Sequence, residues 1–290
     1  MTVTTEPETS TLDVPGATLA YDVRANQSGT LPPLLIIGSP MGAAGFVTLA
    51  SHFTDRTVIT YDPRGAERSA KADPTSESTP DQHADDLHRL IGAVGLGSVD
   101  LFATSGGAVN ALALVAQHPE DVRTLVAHEP PASSALPDAE RVIAACHDIR
   151  ETFLRSGFGP AMARFIGLVS FAGPLPADYL DRPAPDPAMF GLPTDDDGRR
   201  IDPLLQQNIV TCNAFEHDFE ALRAASTRIV MVVSEDSATI AGRGAVAVAE
   251  RLGQEPMSFP GGHDGFLGGE YGGMGKPDEF AAKLHEVLGT

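Results

Sequence analysis

Short apolar runs recur along the chain and set the first prediction of its structure. They lie at 34–37, 57–61, 99–103 and 124–128. Runs of this length and composition are typical of parallel strands buried on both faces. Arg228–Val233 predicts a further strand. Thr18–Val23 differs, because its apolar and polar residues alternate as they do in a half-buried antiparallel strand.

Helical patterns fill the intervals between these runs. In Asp81–Val94 the apolar residues lie mostly three or four positions apart, which predicts an amphipathic helix. Thr79-Pro80, just ahead of it, is typical of an N-cap followed by proline in the first turn. The polar and acidic residues 1–10 predict a disordered tail. The other predicted helices of the alternating region are Ala108–Gln117, Ala241–Leu252 and Pro277–Leu288.

The alternation stops after Pro130-Pro131 and resumes near residue 216. Between them, residues 136–215 read as helical stretches broken by several prolines. A chain of 290 residues is long enough for one α/β domain with an inserted subdomain. We therefore expect a core formed by residues 11–135 and 216–290, with 136–215 inserted as a helical cap.

Charge and cysteine content narrow the possible partners. The formal net charge of −19 argues against nucleic acid and anionic membranes, since both attract a basic surface. Cys146 and Cys212 are the only cysteines, so no disulfide framework is expected and a reducing compartment is favoured. No apolar run approaches the roughly 20 residues of a membrane span, and Met1–Ser10 has no apolar segment typical of a signal peptide. A cytoplasmic protein is expected.

Ser105 is the main candidate for chemistry. It follows the apolar run Val99–Ala103 directly and precedes the predicted helix Ala108–Gln117. A serine on such a tight strand-to-helix turn presents its hydroxyl above the edge of the sheet. The following helix directs free backbone N–H groups towards the place where an oxyanion would form. Small residues are needed two positions before and after it, and Ala103 and Gly107 satisfy this requirement.

Three further motifs, together with the serine turn, occur along the chain in the same order as in a known family. Leu34–Gly42 contains a strand and a glycine-containing loop, and Val58–Ser69 contains a strand followed by Asp-Pro-Arg-Gly-x-x-x-Ser. Gly261-Gly262-His263 follows the strand-like segment Met257–Phe259. With Ser105, these motifs resemble the α/β-hydrolase family over most of the chain. Two positions depart from the family pattern, since Ala103 replaces the first glycine of the elbow and Ile37 replaces the histidine of the oxyanion loop.

The resemblance implies a fold and a set of roles. The fold is an α/β-hydrolase fold, with a mostly parallel eight-stranded sheet flanked by helices and a helical cap inserted after the sixth strand. The resemblance assigns Ser105 as nucleophile, His263 as base, and the backbone N–H groups of Ser39 and Gly106 as the oxyanion hole. Neither a metal nor a cofactor is implied. The triad order of the family, nucleophile, acid and then histidine, requires an acid between Ser105 and His263.

Two residues compete for the role of the acid. Glu129 ends the strand after the Ser105 helix and follows Ser105 by 24 residues, the spacing found in family members that use a glutamate there. Asp236 lies near the commoner family position, but the usual register places the aspartate where this chain has Ser237. Glu129 is therefore preferred, and Asp236 is the alternative.

The expected activity is hydrolysis of a carboxylic ester or lactone of an apolar small molecule, through an acyl-enzyme on Ser105. An imidazole activates the serine hydroxyl, and a carboxylate fixes the imidazole tautomer and stabilises its charge. The alternative is another use of the same fold. In that case the protein is a cofactor-free haloperoxidase-like or lyase-like enzyme, or a non-catalytic small-molecule receptor.

Overall fold

A computed structural model describes residues 6–26, 28–235 and 237–289. The strands are β1 Glu8–Val14, β2 Ala17–Arg24, β3 Leu34–Ile37, β4 Val58–Tyr61, β5 Ala70–Lys71, β6 Val99–Thr104, β7 Val122–His128, β8 Arg228–Ser234 and β9 Met257–Phe259. They form a central sheet with the strand order β1-β2-β4-β3-β6-β7-β8-β9, and the two-residue strand β5 pairs with β2 outside this path. Strands β1, β2 and β5 are antiparallel to their partners, and all the other pairs are parallel.

Helices cover both faces of this sheet, as the alternating sequence pattern predicts. The side chains of β3 alternate between two hydrophobic clusters, with Leu34 and Ile36 on one face and Leu35 and Ile37 on the other. The fold class expected from the sequence is thereby confirmed. The helices are α1 Val47–Ser51, α2 Pro80–Val94, α3 Gly106–Gln117, α4 Ala139–Ser156, α5 Phe158–Val169, α6 Ile209–Thr211, α7 Phe219–Ala224, α8 Ile240–Leu252 and α9 Pro277–Leu288.

Two details of the sheet differ from the sequence prediction. The expected tail 1–10 is wrong for Glu8–Ser10, because these residues begin β1 and pair with Tyr21–Val23 of β2. The side chains of Glu8–Ser10 are exposed or half-buried, so this edge strand lacks the apolar alternation that identifies a strand. The sheet also gains a ninth strand, β5, which is only two residues long. Counted along the eight-stranded path, β7 is the sixth strand.

A mainly helical segment lies between β7 and β8, and we call residues 136–215 the cap. Helices α4 and α5 pack on each other and on a turn of π-helix, Pro203–Asn208, around their own hydrophobic cluster. The boundaries at 135 and 215 stay a proposal. Among the described helices, none is long and apolar enough to cross a membrane.

Candidate active site

Ser105 lies on a strained turn between β6 and α3. Its backbone has φ 55° and ψ −132°, a conformation that residues other than glycine rarely adopt. The Ser105 N–H donates to the carbonyl oxygen of His128 at 2.9 Å, which ties the turn to the end of β7. An ideal Cβ at Gly107 would lie 2.8 Å from the backbone of Gly38. The serine turn and the loop that follows β3 therefore approach too closely for any side chain at position 107.

The imidazole of His263 is bound by Glu129. Its Nδ1 atom lies 2.6 Å from Glu129 Oε2, and the other carboxylate oxygen accepts the Ser234 N–H at 2.9 Å. Burial alone would raise the pKa of Glu129, but the hydrogen bond from His263, the electrostatic effects of His128 and His263, and the hydrogen bond from Ser234 together outweigh it and lower the pKa to about 2. Glu129 is therefore ionised at neutral pH and accepts a hydrogen bond from Nδ1–H, which leaves Nε2 of His263 as the ring nitrogen with a free lone pair.

His128 contacts both Ser105 and His263. Its ring stacks on that of His263 with 5.7 Å between the centroids, and its backbone oxygen holds the Ser105 N–H. Its two ring nitrogens lie 2.9 Å from the hydroxyl oxygens of Thr104 and Ser234. Burial lowers the pKa of His128 to about 3, so this imidazole is neutral at pH 7. Its position at the end of β7 is visible in the sequence, but its hydrogen bonds are not.

The two predicted oxyanion residues, Ser39 and Gly106, lie so close together that Gly106 has no room for a side chain. An ideal Cβ at Gly106 would lie 2.6 Å from the Ser39 carbonyl oxygen and 3.4 Å from Ser39 Cβ. Gly106 is the first residue of α3, where backbone N–H groups have no partner within the helix. The hydroxyl of Ser39 accepts a hydrogen bond of 2.8 Å from Nδ2 of Asn208 in the cap. No motif in the sequence points to Asn208.

The Asp-Pro-Arg-Gly motif braces the loop that follows Ser39. Oδ1 of Asp62 accepts the Ala43 N–H at 2.8 Å, and Oδ2 accepts from the side chain of Arg68 at 2.6 Å. Arg64 is buried and forms two hydrogen bonds of 2.6 and 2.7 Å with Asp86 on α2. Asp62 and Arg64 of the motif therefore stabilise the loop after Ser39 and the packing of α2.

Asp236, the alternative acid, lies outside the described residues. Its neighbour Glu235 forms an ion pair of 3.6 Å with Lys276. Among the described residues, Glu129 binds the Nδ1 atom of His263, as the acid of a catalytic triad does.

One cluster of possible metal ligands occurs among the described residues. His88, His118 and Asp121 place one ligand atom each within 4.8 Å of the others. His118 follows α3 and Asp121 precedes β7, so the cluster lies near the N-terminal ends of the parallel strands, whereas Ser105 lies at their C-terminal ends. The two imidazoles stack at 3.8 Å between centroids with their planes 11° apart, and His88 Nδ1 is already 2.6 Å from Asp121. Nearly parallel rings do not direct their lone pairs at a common ion, so this geometry fits a hydrogen bond between His88 and Asp121.

Comparison with known proteins agrees with the fold and the motifs. A model of the alpha/beta hydrolase fold matches residues 32–189, more than half of the chain. The chain is 30% identical over 285 residues to YraK of Bacillus subtilis (strain 168), an uncharacterized hydrolase, covering 96% of this chain and 95% of YraK. The chain therefore belongs to the α/β-hydrolase family.

Two solved structures show how closely the whole fold is shared. A thermophilic esterase of Thermogutta terrifontis superposes with a TM-score of 0.68 at 20% identity, with 98% of each chain covered. The enol-lactonase of Burkholderia xenovorans LB400 superposes with a TM-score of 0.66 at 17% identity, covering 97% of this chain and all of that one. At these identities the likeness concerns the fold alone.

Proposed function

We propose that the protein is a serine hydrolase that cleaves a carboxylic ester or lactone of an apolar small molecule. Ser105 is the nucleophile, His263 the base and Glu129 the acid that holds the base. The proposal rests chiefly on the 2.6 Å contact between His263 Nδ1 and Glu129 Oε2, made next to a strained serine turn. The esterase and the enol-lactonase of the same fold lend it support.

The reaction begins with attack of the Ser105 oxygen on the carbonyl carbon of the substrate. Nε2 of His263 takes the hydroxyl proton, while the ionised Glu129 stabilises the imidazolium that forms. The negative charge on the carbonyl oxygen is stabilised by the backbone N–H groups of Ser39 and Gly106. The proton then passes from His263 to the leaving alkoxide, which departs from an ester but stays attached to the acyl group of a lactone.

A water molecule completes the reaction. His263 takes a proton from this water, its oxygen attacks the acyl-enzyme, and the proton returns to Ser105 as the acid is released. The side chain of Cys212 lies next to Gly106, 3.2 Å from an ideal Cβ there, and burial raises the pKa of its thiol to about 12. This neighbour is therefore uncharged, which suits an apolar substrate and does not compete with Ser105 as a nucleophile.

Active-site labelling separates the hydrolase from the alternatives. A fluorophosphonate probe should modify Ser105, and p-nitrophenyl esters and lactones of increasing chain length should reveal turnover. Ser105→Ala should abolish labelling and turnover, whereas Ala substitution of Ser170, an exposed serine of the cap, should change neither. A folded protein that binds small molecules without labelling or turnover would instead be a receptor. Labelling with no ester or lactone turnover would favour the haloperoxidase-like or lyase-like alternative.

A further inference from the structure

One turn of the cap contacts Ser39, a residue of the proposed oxyanion hole. This turn is the π-helical segment Pro203–Asn208, which continues into α6. The carboxylate of Asp202 caps it by accepting the N–H groups of Leu204 and Leu205 at 2.9 and 2.8 Å. Turns of π-helix are rare and recur at functional sites.

The turn has an apolar side and a side that faces the core. Leu205 and Ile209 are buried in the hydrophobic cluster of the cap, which fixes the rotation of the segment. Asn208 and Cys212, four positions apart and therefore on one face, reach the two proposed oxyanion residues. Asn208 donates to the hydroxyl of Ser39, and Cys212 lies next to Gly106.

A second pair of contacts fixes the turn beside the site. Gln207 Oε1 accepts from the Lys71 ammonium at 3.3 Å, and Gln207 Nε2 donates to the Ser76 carbonyl oxygen at 2.6 Å. Lys71 also donates to Ser78 at 3.0 Å. Gln207 thus binds the segment around Lys71 and Ser76, while its neighbour Asn208 binds the loop that contains Ser39. Asn208 is therefore held in place when it meets Ser39.

We propose that Asn208 is a positioning residue through which the cap holds the oxyanion loop in its working geometry. The inference rests on the proposed function, because it assigns Ser39 to the oxyanion hole. The hydrogen bond to Asn208 holds the Ser39 side chain, and this restrains the backbone N–H of the same residue. Small displacements of an oxyanion donor weaken the transition-state interaction sharply, because the donor must already point at the developing charge. The cap thereby contributes to rate as well as to substrate fit.

A double-mutant cycle tests this role. Asn208→Ala and Ser39→Ala each break the same hydrogen bond while leaving the Ser39 N–H in place. Since loss of an oxyanion donor costs about 100-fold to 1,000-fold in kcat, a merely loosened donor should cost about 10-fold. We expect each variant to lower kcat for a p-nitrophenyl ester by that factor, with KM nearly unchanged, and the double variant to lose no more than either single one.

Asn213→Ala is the matched control. This second buried asparagine of the cap binds the Ser133 hydroxyl at 2.5 Å and the Ile209 carbonyl oxygen at 2.9 Å. Its loss should lower Tm and leave kcat unchanged, so damage to the cap alone is distinguished from loss of positioning.

The outcomes also separate this inference from the proposed function. Suppose that the wild type turns over esters and Ser105→Ala does not, so that the proposed function holds. The role of Asn208 alone is then overturned by any of three results: an unchanged kcat in Asn208→Ala, a change confined to KM, or additive losses in the double variant. A wild type inactive on every ester and lactone overturns both proposals. If Asn208→Ala fails to fold, Ser39→Ala decides the question, because it removes a single oxygen atom.

Discussion

Glu129 and His263 lie 134 residues apart in the chain, and 2.6 Å separates Oε2 of the carboxylate from Nδ1 of the imidazole. The carboxylate is fully buried, whereas 44% of the His263 side chain is exposed. The Glu129 side chain is thus fixed inside the protein by Ser234 and His263, while the imidazole extends to the surface. A buried carboxylate with a pKa of about 2 carries its charge at neutral pH.

The first prediction concerns this carboxylate. Glu129→Gln keeps the shape of the side chain but removes the charge that stabilises imidazolium, so kcat should fall by about 1,000-fold or more. Asp236→Asn, the change at the alternative acid, should reduce kcat only a few-fold. Steady-state turnover of one p-nitrophenyl ester by both variants provides the measurement. A crippled Asp236→Asn beside a mild Glu129→Gln would reassign the acid while keeping the serine mechanism.

How far the site is predictable from sequence depends on the range of the interactions. Ser105 and His263 are recognisable because each belongs to a local motif, a strand followed by a tight turn. Glu129 is a candidate because it follows Ser105 by 24 residues, as in family members with a glutamate there, and its strand neighbours that of Ser105 in the sheet. Asn208 is not predictable, because its contact with Ser39 spans 169 residues and depends on the rotation of the cap turn.

The same limit applies to the fold. The buried strands β3, β4, β6, β7 and β8 are predictable because burial on both faces demands continuous apolar residues. Strand β1 lies at the edge of the sheet, and β5 has two residues, so neither needs a recognisable apolar pattern. Their pairing with β2 is decided by tertiary contacts instead.

The second prediction tests the close packing at the serine turn. Gly107→Ala adds a methyl group 2.8 Å from the backbone of Gly38, so the oxyanion loop or α3 must shift. We expect both a lower Tm and a large loss of kcat, because the shift displaces the groups next to Ser105. Gly92→Ala in α2 is the control, since an added Cβ there meets nothing within 4 Å. Because position 92 is exposed, the substitution should stabilise the helix by up to about 1 kcal/mol and leave kcat unchanged.

The third prediction concerns the hydrogen bonds of His128. His128→Phe keeps a ring beneath His263 but leaves the Thr104 and Ser234 hydroxyls without their buried partner, which costs about 1–3 kcal/mol for each unsatisfied group. Urea denaturation should show this loss. Ser234→Ala removes one of those hydroxyls and keeps the backbone N–H that binds Glu129. The double variant should therefore be more stable than the sum of the two single losses implies. Strict additivity would show that the Ser234 hydroxyl and His128 do not interact.

The last prediction is the pH dependence of stability that His83 imposes. This residue of α2 is buried, and neither of its ring nitrogens has a hydrogen-bond partner among the described residues. Burial, with smaller effects from Arg64 and Lys71, lowers the pKa of His83 from 6.5 to about 3. Above pH 6.5 the imidazole is neutral in both the folded and the unfolded chain, and it adds no pH dependence. Between pH 6.5 and 3 the unfolded chain binds the proton more readily, so stability falls as the pH is lowered.

At pH 5 this penalty amounts to about 2 kcal/mol for a single buried histidine. His83→Leu removes both the titration and the two unpaired nitrogens, so it should be at least as stable as the wild type at pH 7 and more stable by about that amount at pH 5. Urea denaturation at the two pH values measures both differences. His147→Leu, at an exposed histidine of α4, is the matched control variant. If the wild type and His83→Leu lose stability in parallel between pH 7 and pH 5, then His83 is protonated in the folded protein and the buried neutral state assigned to it is wrong.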